Sequence, residues 1–135
     1  EQVYGDENFA FIAGNTKFVC MNTNALEYDY SHPVPDFDFI SREVADSARY
    51  SKTVAVMHVK PYDDQFNNNV ARLFHAEIKK FPSLQFALHA HNHKLQTTDV
   101  FKDGIIYYGC ASMKQRNYMV FTLTTNGYSY EVVNY

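Results

Sequence analysis

The chain has no tryptophan, only two cysteines, no run of lysine or arginine longer than a pair, and no long apolar stretch. Each absence removes a class of protein. Two cysteines in 135 residues do not make a disulfide-stapled scaffold, so Cys20 and Cys110, both in apolar strand-like stretches, read as buried free thiols. A membrane helix needs about 20 apolar residues in succession, and nothing here approaches that. The net charge of -3, with no basic run, gives no nucleic-acid footprint, although a small nucleotide substrate would not need one.

What is present is enough to build a core. Hydrophobic residues make up 46% of the chain and aromatics 16%, a globular composition, and the length suits a single domain over 1–135. The chain starts at Glu1 rather than Met, without a basic-plus-apolar leader, and reads as a processed product or a piece of a longer protein. Its compartment is not written in the sequence.

Punctuation divides the chain into short elements. Asn8 to Ile12 and Lys17 to Met21 are apolar runs joined by Ala13-Gly14-Asn15-Thr16, which predicts a β-hairpin. Beyond the two prolines of SHPVPDFD, residues 31–38, a helix start at Asp36 or Asp38 leads into Phe39, Ile40, Val44, Ala45 and Ala48 at helical spacing, to about Tyr50. Thr53 to Val59 is a continuous valine-rich run, the pattern of a central strand buried on both faces. A second amphipathic helix is expected over Asn67 to Phe81, carried by Val70, Leu73, Phe74 and Ile78. Leu84 to His89 reads as a further buried strand. Thr97 to Phe101, Ile105 to Cys110, Tyr118 to Thr124 and Tyr128 to Val133 read as β, divided by Lys102-Asp103-Gly104 and Asn126-Gly127 turns. The expected class is mixed α/β (α+β), with a mixed sheet and a C-terminal antiparallel meander.

The chemistry gathers around histidine. Of six, His58 ends the buried run TVAVMH, and His89, His91 and His93 alternate in FALHAHNHKLQ. One helix separates the two strands that carry them, and such crossovers usually join neighbours. Their C-terminal ends would then lie at one sheet edge, where α/β proteins bind ligands. Imidazole suits zinc, manganese and iron, so His58, His91 and His93 form a candidate metal cluster. A His-x-His pair on a solvated strand is also commonly incidental, and both readings stand at this point. If the strand runs on, His89 points with His91; a turn after Ala90 separates them and leaves His89 a structural or outer-shell group. His75 falls on the second helix and His32 precedes a proline, and both read as surface or packing residues.

Met57-His58-Val59-Lys60-Pro61 resembles the isolated-histidine motif of calcineurin-like metallophosphoesterases, and Ala90-His91-Asn92-His93 resembles that family's Gly-His-x-His motif. The two lie about 30 residues apart, a normal interval for the family. Tyr4 to Phe11 followed by Lys17 to Thr23 is similar to the segment after the family's Gly-Asn-His motif, and Gly104 to Cys110 to the strand that follows Gly-His-x-His.

The resemblance implies the C-terminal half of a four-layer α/β/β/α sandwich with a dinuclear site of manganese, iron or zinc. His58 and His91 would serve one metal and His93 the other. The activity implied is hydrolysis of a phosphomonoester or phosphodiester by a metal-bound hydroxide, the substrate being a small-molecule phosphate ester. Ala90 replaces the motif's glycine. No Asp-x-His and no Gly-Asn-His occurs in the chain, and Gly5-Asp6 comes too late to supply the bridging aspartate. The piece itself is therefore expected to be inactive, to assign no catalytic acid or base, and to self-associate through an uncovered sheet. Lys60, Tyr62 and Arg116 are the substrate-side candidates, each open to a plain surface reading, and His89 the outer-shell one. Asp63 and Asp64 would shape the pocket mouth or simply make a turn. The competing classes are a non-catalytic β-rich binding or structural module with incidental histidines, and a mononuclear zinc hydrolase on His58, His91 and His93.

Overall fold

The computed structural model describes residues 5–27 and 32–135; Glu1, Tyr4 and Ser31, used above, lie outside the described residues. It is a mixed α+β structure with a six-stranded mixed sheet, a two-stranded antiparallel hairpin and two α-helices. Strands β1 (Phe9–Ala13) and β2 (Thr16–Met21) form the expected hairpin, with Phe9 opposite Cys20 and Phe11 opposite Phe18. Gly14, at φ +60°, takes the left-handed turn position that a side chain would resist.

Helix α1 (Phe37–Ala45) starts where the sequence places it. Asp36 is the N-cap, its carboxylate accepting from the Phe39 amide at 2.9 Å. It stops well short of Tyr50. Lys17, nearly fully buried in β2, explains the stop: its Nζ donates to the carbonyls of Glu43 (2.9 Å) and Asp46 (3.3 Å) and pairs with the Glu43 carboxylate at 2.6 Å. Three oxygens at the helix C-terminus thus satisfy a charge that would otherwise be costly to bury.

β3 (Lys52–Met57) lies parallel to β2 and to β4 (Leu84–His89), the arrangement that the single crossover predicts. The crossover helix is shorter than its pattern. A 3-10 turn over Asn68–Val70 leads into α2 (Ala71–Ile78). Its buried stripe is Ala71, Phe74, His75 and Ile78, while Leu73 stands half exposed. His75 thus belongs to the core side.

The C-terminal part is divided, not a continuous meander. β6 (Tyr107–Gly109) joins β4 in parallel, β5 (Gln96–Thr98) runs antiparallel to β6 at the sheet edge, and β7 (Asn117–Thr124) with β8 (Gly127–Asn134) forms the separate hairpin. The sheet order is β1-β2-β3-β4-β6-β5. Its four central strands are parallel, so their C-terminal ends share one edge.

Alternation sorts the side chains into two faces. Val19, Met21, Ala55, Met57, Ala87 and Tyr107 pack beneath α1 and α2 with Phe39, Ile40, Phe74 and Ile78. On the opposite face Val54, Phe86 and Tyr108 are buried under β7–β8, where Phe121 stacks on Phe86 at 4.6 Å. Lys52 anchors the hairpin turn through the carbonyls of Thr124 and Gly127. Elsewhere that second face is thinly covered. Phe9 and Phe11 are each 50% exposed, and Phe18, Cys20, Val56 and Leu88 are only half buried. Cys20 and Cys110 are free thiols, as expected, but half buried instead of buried.

Candidate functional site

The site is built at the C-terminal edge of β2, β3 and β4. Thr23, just past β2 and fully buried, clamps the chain just past β3: its hydroxyl donates to the Val59 carbonyl at 2.7 Å and accepts from the Val59 amide at 3.1 Å. The Ala90 amide donates to the His58 carbonyl at 3.0 Å, so the histidine-bearing segments after β3 and β4 are laced together by backbone. With both strand ends fixed, the rings of His58 and His91 come to 5.4 Å between centroids, edge to face at 78°.

Strand geometry does not continue through FALHAHNH. β4 ends at His89, and His91 (φ +58°) and His93 (φ +54°) are both left-handed. That breaks the two-residue alternation, so the three histidines do not share one face. His89 turns inward. It is 2% exposed, its Nδ1 faces the Ala90 carbonyl at 3.2 Å, its Nε2 has no hydrogen-bond partner among the described residues, and burial pushes its pKa below the ordinary histidine value. Gly109, directly opposite in β6, leaves room for the ring. His58 and His93 are exposed and His91 lies between the extremes.

Two side-chain links hold the loop after β3 to the loop after β4. Asp63 accepts from Lys60 at 2.5 Å and from the Asn92 amide nitrogen at 2.9 Å. Asp64 faces His91 Nε2 at 3.3 Å. A proton on Nε2 donating to that carboxylate leaves the Nδ1 lone pair of His91 free to bind a cation. Asp64 itself is well exposed, which keeps the contact weak.

The spacing can be tested against a metal. Two imidazoles on one tetrahedral cation, with metal–nitrogen bonds of about 2.0–2.1 Å, would set their ring centroids roughly 5 Å apart. The His58–His91 pair meets that spacing. Among the described residues, however, no three His, Cys, Asp or Glu side chains are grouped as metal ligands. His93 is held through its backbone, its carbonyl accepting from Gln115 Nε2, and not through its ring. His58 and His91 fit half of one tetrahedral shell, and His93 is not grouped with them.

The other sequence candidates are placed as follows. Lys60 is largely buried and ion-paired with Asp63. Tyr62 is half exposed at φ +68°, its ring 5.5 Å from that of Phe101. Arg116 is exposed and left-handed, beside Gln115, which bonds the His93 carbonyl. His32 is exposed and lines a surface cleft with Asn8, Asp36 and Arg42. His75 is buried between the Tyr107 hydroxyl (2.9 Å) and Asp103 (2.8 Å). Thr23, Asp63 and Asn92 organise the edge, and sequence reasoning did not give them these roles. The polar run Asn22-Thr23-Asn24 directly after an apolar strand was the available signal.

No protein-family model matches this chain, and no curated protein matches it either.

Proposed function

We propose that this chain is the histidine-bearing part of a metal-dependent phosphoesterase of the calcineurin-like kind. The observation that carries the proposal is the pairing of His58 and His91 at the joined C-terminal ends of adjacent parallel strands, 5.4 Å apart. Helices over one sheet face and a β-hairpin over the other are compatible with part of an α/β/β/α sandwich, whose second sheet would extend the β7–β8 layer.

In this reading His58 and His91 would hold one cation, with Asp64 facing the His91 ring, and His93 would serve a second. Bound cations would supply an activated water and positive charge against the phosphoryl oxygens. Lys60 then acts indirectly. Its charge is committed to Asp63, so it stiffens the loop that follows His58 instead of gripping phosphate. The Asp-x-His and Gly-Asn-His sequences that complete such sites do not occur in these 135 residues, so the chain alone is proposed to bind metal without turning over substrate. A second copy would cover the open sheet face.

Calorimetric titration with Mn(II) and Zn(II) tests the reading. Saturable binding that His58→Ala and His91→Ala each weaken by about tenfold or more is the expected result. Binding of neither metal, or binding indifferent to both substitutions, overturns it and leaves a non-catalytic module, the reading that the ungrouped third histidine favours.

A further inference from the structure

A cleft of about 470 Å³ opens beside the histidine edge, lined by Tyr62, Arg72, Val100, Phe101 and Lys102. Tyr62 belongs to the same loop as Asp63 and Asp64, which reach Asn92 and His91. The cleft therefore starts where the candidate metal edge ends. We infer that it binds a planar aromatic group carrying negative charge, and that, if the phosphoesterase reading on which this assignment rests is right, the substrate's leaving group has that character.

One aromatic wall, Phe101, is held in place before any ligand arrives. Phe101 stacks on His75 at 3.9 Å and 14°, and His75 is in turn locked by Tyr107 and Asp103. Tyr62, tilted 41° to Phe101, leaves half its surface to solvent. A held aromatic ring beside one with open area suits a stacked planar group, since part of the wall loses no freedom on binding.

The charges are equally specific. Arg72 and Lys102 make no ion pair among the described residues. Two carboxylates lie close by in sequence, but both are occupied. Asp103 pairs with Lys79 at 2.6 Å and faces His75. Asp99 accepts from the Asp103 and Gly104 amides at 3.1 Å each. Two uncommitted cations on an aromatic-lined cleft form a counter-surface for an anionic group, with the Arg72 guanidinium able to take phosphate or carboxylate oxygens in pairs.

Isothermal titration of the 135-residue chain with ATP, in EDTA to exclude metal, provides the test. Adenosine and inorganic phosphate serve as the separate aromatic and anionic probes. Saturable ATP binding is expected, with adenosine and phosphate each much weaker. Tyr62→Ala and the double variant Arg72→Ala, Lys102→Ala should each cost about tenfold or more, the scale of one stacked ring or one bidentate contact. Lys114→Ala, which removes an exposed cation elsewhere, should leave binding unchanged. No ATP binding, or equal binding by all variants, overturns the inference. Metal binding through His58 and His91 without ATP binding would sink the cleft and spare the phosphoesterase reading. ATP binding without metal binding would support the cleft and sink that reading.

Discussion

Single residues show how little slack this fold has around its histidines. Gly109 faces His89, and a Cβ added there would lie 2.7 Å from the ring's Cε1 and 2.9 Å from Nε2. The ring is buried and cannot swing away cheaply. Gly109→Ala should therefore cost roughly 1–3 kcal/mol, read as a lower melting temperature. Asp103 gives a pH signature. Partial burial opposes its ionisation, but hydrogen bonds from Lys79 and His75 and from the Ile105 amide prevail and hold the carboxyl well below its ordinary 3.8. A carboxylate depressed on folding stabilises the fold above its unfolded pKa and loses that contribution as pH falls toward the folded value. Asp103→Asn should thus lower the melting temperature at about pH 7, and the gap to the parent should narrow progressively as pH falls below about 4 toward the depressed folded value. A gap that persists in acid would assign the effect to packing.

At the scale of elements, the edge depends on a clamp between strand ends. Thr23 makes two hydrogen bonds to one residue of the neighbouring segment while fully buried. Thr23→Val keeps the shape and leaves the Val59 carbonyl and amide without that partner, at about 1–3 kcal/mol. Because Val59 follows His58 directly, the same substitution should also weaken Mn(II) binding in the titration above, more than a remote change of equal destabilisation does. The helices carry a related lesson. The start of α1 could be read from its cap, but α2 begins later than its pattern and buries Ala71 and His75 where Val70 and Leu73 were expected. The end of α1 is set by Lys17, a residue from a strand 26 positions from the Glu43 carbonyl it reaches. No local pattern encodes such a cap.

For the whole molecule, the two sheet faces are unequally treated. One lies beneath both helices, and among the described residues the other is covered only where β7–β8 crosses it. Phe9, Phe11 and Phe18 continue the apolar face beyond that cover, with Phe11 stacked on Phe18 at 5.0 Å. Apolar area of this kind drives association. Sedimentation should show concentration-dependent dimers, and Phe11→Lys should shift the chain toward monomer while costing the fold no more than about 1 kcal/mol, since the residue is already half exposed. A parent chain that stays monomeric at high concentration would refute this.

Sequence by itself determined the elements and their order: the hairpin at Gly14-Asn15, a helix start at Asp36 or Asp38, the β3 and β4 strands, and their adjacency through one crossover. These follow from local periodicity, turn chemistry and the handedness of connections, which act over a few residues. It also placed His58, His91 and His93 at a common edge, where the structure pairs the rings of His58 and His91 without grouping His93 with them. Only tertiary structure decided that His89 turns inward while His91 does not, that Lys60 is spent on Asp63, and that the last four strands divide between two sheets. Each of those outcomes turns on a backbone reversal or on a partner far along the chain. Such choices are settled by which groups must find hydrogen bonds once water is excluded, and that is known only when the whole chain has packed.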